Sequence, residues 1–135
     1  MSNSGGCLCG RISYDLKGEP IVSLVCHCTN CQKQSGSAFS VNVICQQDQI
    51  QVTGKLSTYE DRSDTGDKVF RKFCGTCGSP IFSELTAHPG LIALKVGSLN
   101  DTSNVTPSSQ VWCDSGQDWL KIESDMPRFA QNPTQ

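Results

Sequence analysis

This chain of 135 residues has no excess of positive charge: Lys and Arg number 11 against 13 acidic residues, for a net charge of −2 and a pI near 5.6. The summed positive field that grips phosphate backbones is missing, so nucleic acid is not an expected partner. Long apolar runs are missing as well. The longest, residues 91–94, is stopped by Lys95 and falls far short of the ~20 residues needed to cross a bilayer, so no membrane partner is expected. No charged-then-apolar segment of secretory type opens the sequence. There is no internal repeat, no low-complexity block and no long stretch of helical periodicity. These absences lead to the expectation of a cytoplasmic protein with very little helix.

Cysteine is abundant. Nine residues, about 7% of the chain, fall just under the ~8–10% of a short secreted disulfide scaffold. At this length roughly two thirds of the unfolded surface can be buried without covalent staples. An odd cysteine number at C-x-C and C-x-x-C spacings argues for metal in a reducing compartment.

Apolar and polar residues alternate over residues 11–16, 37–44 and 49–52, the period of half-buried strands. Residues 68–73, 80–83, 91–96 and 110–113 are short and rich in branched or aromatic side chains, and also read as strands. The one helical turn expected runs over residues 29–35 and is closed by Gly36. Residues 59–67 carry five charges in nine positions and read as an exposed hairpin loop. The fold expected is mainly β, with one domain spanning residues 1–135 and a tail frayed from about Gln131.

Seven cysteines form three clusters: Cys7-Leu8-Cys9, Cys26-His27-Cys28-Thr29-Asn30-Cys31 and Cys74-Gly75-Thr76-Cys77. Residues two apart in a strand share a face, so Cys7 and Cys9 can present two sulfurs to one ion. In the last cluster the flanking glycines permit a tight turn that aims two thiolates inward. Two such pairs complete a closed four-thiolate zinc site: Cys7, Cys9, Cys74 and Cys77. Cys26, Cys28 and Cys31 remain as a three-ligand cup. Three protein ligands leave a position for water or substrate, the mark of a catalytic ion. A fourth ligand from Cys45, Cys113 or His88 would instead close this site too, and spacing alone leaves both arrangements open.

His27 lies inside the second cluster, but alternation turns it to the opposite face from Cys26 and Cys28, where a hydrogen-bonded or solvent-facing role is expected. His88, beside Pro89 and Gly90, reads as a turn residue. Cys45 and Cys113 are expected to pack as small hydrophobes. Trp112, Phe73 and Phe82 read as core aromatics, whereas Phe39, close to Cys31 in sequence, can line the space above a metal. Lys33, Arg71 and Lys72 are expected at the solvated surface.

In order and spacing, Gly6-Cys7-Leu8-Cys9-Gly10, the Cys26 to Cys31 motif with Gly36-Ser37-Ala38-Phe39, Phe73 to Pro80, and Asp125-Met126-Pro127-Arg128-Phe129 with Trp119 resemble the glutathione-dependent formaldehyde-activating enzymes, a family that includes the centromere protein V branch. The resemblance implies a β-rich zinc domain of coiled antiparallel sheets and two zinc ions per chain. It implies a structural ion on Cys7, Cys9, Cys74 and Cys77 and a catalytic ion on Cys26, Cys28 and Cys31. It also implies a carbon–sulfur lyase activity, of the S-(hydroxymethyl)glutathione synthase type, that joins a small-molecule thiol, glutathione in the family, to formaldehyde or another small aldehyde. Members often carry Arg-Lys after the third middle cysteine where Gln32-Lys33 stands here, so one positive charge able to meet a glutathione carboxylate is absent. The alternative is a non-enzymatic zinc-stabilised binding module of the same fold. Against it, the chain is mildly acidic and lacks added charged segments.

Overall fold

The computed structural model describes residues 2–122 and 124–133. It is mainly β, built as two sheets. Strands β1 (Ser2–Gly6), β2 (Ser13–Lys17) and β5 (Ile50–Thr53) make a three-stranded antiparallel sheet with β2 in the middle. The larger sheet contains β3 (Val22–Cys26), β4 (Ser40–Gln46), β6 (Leu56–Arg62), β7 (Lys68–Cys74), β8 (Pro80–Leu85), β9 (Leu91–Lys95) and β10 (Ser109–Val111). Its order is β10-β3-β4-β9-β8-β7-β6. Strands β6 to β9 follow one another as hairpins. By contrast, β10 reaches β3 from far along the chain and pairs with it in parallel, which a long connection permits and a hairpin does not.

The expected strands are present with small shifts in their ends, and three more were not expected. Strands β1 and β3 lack a clear alternation of core residues. In β6, charged Glu60, Asp61 and Arg62 pair across to β7, so the expected loop over residues 59–67 shrinks to the turn Ser63 to Asp67. A long register with β7, seven residues paired in all, outweighs the poor strand propensity of the acidic residues. The single helix, α1 (Thr29–Ser35), ends at Gly36 in the left-handed region, φ 65°, where glycine is least strained.

Register makes the large sheet two-faced. Val43, Cys45, Ile92, Leu94 and Phe82 share one face and pack with Ile12, Tyr14 and Leu16 of the small sheet side as the hydrophobic core. The other face carries Ser40, Asn42, Lys95, Ala93, Ser83 and Arg71, all buried. The small sheet approaches the large one closely at Gly5, where a Cβ would collide with the Ser98 carbonyl and the Tyr14 ring. Of the tail expected to fray, Gln131 and Asn132 accept hydrogen bonds from the backbone and indole N–H of Trp112, while Thr134 and Gln135 lie outside the described residues.

Candidate metal centres and the cleft beside them

Cys7 and Cys9 are not on a strand. β1 stops at Gly6, and Cys7 opens a turn in which its N–H donates to the Ile12 carbonyl while the Ile12 N–H donates to Cys7 Sγ at 3.2 Å. The second pair is built the same way. After β7, Gly78 adopts φ 82°, its N–H closes on the Cys74 carbonyl at 2.8 Å, and the Thr76 N–H points to Cys74 Sγ at 3.4 Å. Ser79 stitches the turns together: its Oγ accepts from the Leu8 N–H at 3.0 Å and lies 3.2 Å from Cys77 Sγ. Hydrogen bonds from Ser79 and the Cys9 backbone hold the Cys77 thiol down to about 5. Nothing in the sequence motif singles out Ser79.

The four sulfurs of Cys7, Cys9, Cys74 and Cys77 all lie within 4.8 Å of one another. Cys7 to Cys9 is 3.6 Å and Cys9 to Cys74 is 3.8 Å. A tetrahedron with Zn–S bonds of ~2.3 Å has edges of about 3.8 Å, so this donor set fits a zinc ion. Cys74 belongs to the hydrophobic core and Cys7 and Cys77 pack against it, which places the cluster at the core's rim.

The sulfurs of Cys26, Cys28 and Cys31 also lie within 4.8 Å of one another, and among the described residues no fourth Cys, His or carboxylate joins them. Cys26 ends β3, Cys31 sits in the first turn of α1, and Cys28 is the helix N-cap, its Sγ accepting from the Cys31 N–H at 3.2 Å. Thr29 is the first helical residue. A sulfur does here what an Asp or Ser oxygen does at most helix starts. Hydrogen bonds from Cys26 and Cys28, and the charges of Lys95 and Arg71, hold Cys31 low, while hydrogen bonds with Cys28 and Cys31, and burial, push Cys26 up. Donor set and spacing fit a soft divalent metal such as zinc.

The residues considered as a fourth ligand lie elsewhere. Cys45 is fully buried in the core. Cys113 is only half-buried, along a polar cleft with His27, Gln110 and Asp118, and so is not the small core hydrophobe expected. His88 lines a second cleft, described below. His27 faces away from the sulfurs, 5% exposed, with Nε2 2.9 Å from Gln110 Oε1 and its ring tilted on Phe39. Gln32, which follows Cys31, donates to the carbonyls of His27 and Ser115 at 2.7 and 2.9 Å and ties α1 to the C-terminal segment.

A cleft of about 200 Å³ opens at Cys28, lined also by Asn30, Arg71, Leu85, His88 and Trp112. Two expectations are corrected here. Arg71 is not on the surface but 7% exposed, with Nε 2.8 Å from Asp61 Oδ2; the same oxygen accepts from Asn30 Nδ2 of α1 at 3.2 Å. Burial is possible because the carboxylate of β6 travels with it. Trp112 is not a core aromatic but a wall of this cleft. It is the one non-glycine among the described residues at positive φ, 56°, a conformation costing about 1–2 kcal/mol, held by its bonds to Gln131 and Asn132. Phe82 is in the core as expected, while Phe39 lines an open cleft with Ser40 and Lys95. Among the described residues no helix is long and apolar enough to cross a membrane.

A family model described as glutathione-dependent formaldehyde-activating enzyme matches residues 2–115. A crystal structure of a Rhodobacter sphaeroides protein is similar over 93% of this chain and 98% of its own, with a TM-score of 0.58 and 19% identity, a likeness of fold. Among curated proteins none matches.

Proposed function

The chain belongs to the glutathione-dependent formaldehyde-activating enzyme family, and from that membership we propose that it joins a small thiol, glutathione first among candidates, to formaldehyde or another small aldehyde in the cleft at Cys28. The domain is read as one zinc unit spanning the chain. The observation that carries the proposal is the contrast between the clusters: four sulfurs that close on themselves at the core's rim, and three without a fourth protein ligand among the described residues beside a cleft that Cys28 lines.

Cys26, Cys28 and Cys31 would hold the catalytic zinc, and Cys7, Cys9, Cys74 and Cys77 the structural one. Bound at the three-cysteine site, zinc supplies a positive centre that brings a substrate thiol, free pKa ~8.5, to its reactive thiolate form near neutral pH. The chain's own residues do the rest. Helix α1, pinned through Asn30 to Asp61, fixes Cys31 and Cys28 relative to Cys26. Trp112 and Leu85 give the cleft apolar walls that can hold the substrate's carbon skeleton and exclude part of the water. The sulfur lone pair forms the new carbon–sulfur bond, the carbonyl π pair moves to oxygen, and that oxygen takes up a proton equal to the one the thiol gave. Water in the open cleft is the proton donor in this reading.

The test is NMR exchange spectroscopy of hemithioacetal formation from formaldehyde and a panel of thiols, with wild type and Cys28→Ser. Acceleration by wild type and its loss in the variant are expected. No acceleration with any thiol would overturn the proposal in favour of a zinc-stabilised binding module.

A further inference from the structure

Among the described residues, the polar face of the large sheet holds one buried charge with no ion-pair partner. Lys95, the last residue of β9, is 6% exposed, and its Nζ donates to Ser40 Oγ at 2.8 Å. The ion pairs among the described residues are Arg71 with Asp61, Lys68 with Glu60 and Lys72 with Glu84; none involves Lys95. A buried ammonium without a counter-ion is costly enough that such groups are rarely kept. Burial, together with the nearby Arg71 charge, lowers the Lys95 pKa from its ordinary value, against an opposing pull from Cys31, Cys26 and Cys28.

Its position explains what it faces. Ser40, which accepts the Lys95 bond, is the cross-strand partner of Cys26, and Asn42 pairs with Lys95 itself. One hydroxyl therefore separates the ammonium from the strand position that carries a thiol of the trio. Arg71, the other buried cation on this face, is already neutralised by Asp61. Three thiolates and one divalent ion would sum to one negative charge, and Lys95 is the buried positive charge beside them that has no ion-pair partner among the described residues.

We propose that Lys95 is the buried counter-charge of the Cys26, Cys28 and Cys31 centre, rendering the loaded centre neutral so that it accepts an anionic fourth ligand, a thiolate, in preference to a neutral one. This rests on the reading of the trio as a metal site given above. Lys95 touches no substrate in this account and acts as a positioning residue through the field it sets. The four-cysteine cluster, which draws its hydrogen bonds from turn N–H groups and Ser79, serves as an internal control.

The experiment is a Co²⁺ titration of wild type, Lys95→Met and Lys95→Arg, followed by thiolate-to-metal absorption, with 2-mercaptoethanol and then imidazole titrated into each loaded protein. Wild type should take two equivalents. Lys95→Met should keep the first and bind the second about tenfold or more weakly, as expected for loss of a unit charge at short range in a partly buried setting, and Lys95→Arg should recover most of it. The preference for mercaptoethanol over imidazole should fall at least about threefold in Lys95→Met, a change that loosened packing would not produce. If wild type takes two equivalents and folded Lys95→Met shows the same second affinity and the same ligand preference, the counter-charge proposal is refuted alone. A wild type that takes one equivalent removes the metal reading of the trio and this proposal with it. Should Lys95→Met not fold, Lys95→Gln, which retains a donor for Ser40, decides by the same two titrations.

Discussion

Removing the Arg71 charge should cost the protein about 2–3 kcal/mol and loosen the helix that carries Cys31. Arg71 Nε lies 2.8 Å from Asp61 Oδ2, with side chains 9% and 20% exposed. Losing one partner of a fully buried pair costs about 3–5 kcal/mol, because the other charge is stranded. Asp61 keeps a fifth of its surface in water and retains hydrogen bonds from Asn30 Nδ2 and the Arg62 N–H, which places Arg71→Met at or below the lower end of that range. For a chain of this size the loss is a drop of about 6–12 °C in Tm. Urea denaturation at fixed zinc should show a lower midpoint at constant slope. Asp61→Asn should cost a similar amount, and the double variant should recover much of it, with a coupling of about 1.5–3 kcal/mol. Because Asp61 also anchors Asn30, both single variants should weaken metal binding at the three-cysteine site and leave the four-cysteine site as it is. Single variants within about 1 kcal/mol of wild type, or losses that simply add, would refute the buried-clamp argument.

Cys77→Ser should remove one zinc and most of the cooperative folding, since that cluster joins residues 7 and 77 at the core's rim and its binding energy is folding energy. Cys28→Ser should remove one zinc and leave the fold standing; metal analysis with circular dichroism separates the two, and equal unfolding of both would show two structural sites. Burial pushes Tyr14 up to about 12 and Cys45 up to about 11. Both are neutral when protonated, so the stability they support is complete below their unfolded values of ~10 and ~8.5 and is lost as pH rises through the folded values, at up to about 1.4 kcal/mol per unit for each group. Tyr14→Phe should therefore flatten the alkaline limb of the stability curve between about pH 10 and 12, and an unchanged limb would count against Tyr14 as its source. Gly5→Ala, forced against the Ser98 carbonyl and the Tyr14 ring, should lower the urea midpoint by the equivalent of about 1–3 kcal/mol; a wild-type midpoint would mean that β1 can move away from the large sheet at little cost.

What could be read from the sequence was what is local. The period of two in β2, β4 and β5, the Gly36 stop of α1 and the C-x-x-C turn with Gly78 each depend on residues within a few positions, and each is present in the structure. What could not be read depends on partners far along the chain. Arg71 looks like a surface cation until Asp61 is known to lie across from it on β6. Trp112 looks like core until residues from the C-terminal segment hold it at positive φ in a cleft wall. Strand alternation is one way for Cys7 and Cys9 to present both sulfurs to one side; in the structure the sulfurs come together through a turn with an N–H to sulfur bond. A C-x-C spacing suits more than one backbone.

The two clusters also differ in what surrounds them, and that difference bears on why one chain would carry both. The four-cysteine cluster backs onto hydrophobic core and draws its hydrogen bonds from turn N–H groups and Ser79, so the negative charge of a bound four-thiolate zinc would be held by backbone dipoles that are fixed when the turns form. The three-cysteine cluster lies on the sheet's other face, where the groups beside it are side-chain charges, Lys95 and the Arg71–Asp61 pair. Backbone donors suit a site whose charge never changes. If the trio is the open site proposed above, side-chain charge set in a buried polar layer would fix the field at its open position before any substrate arrives. A β-sheet with one apolar and one polar face provides both environments within a single layer of strands.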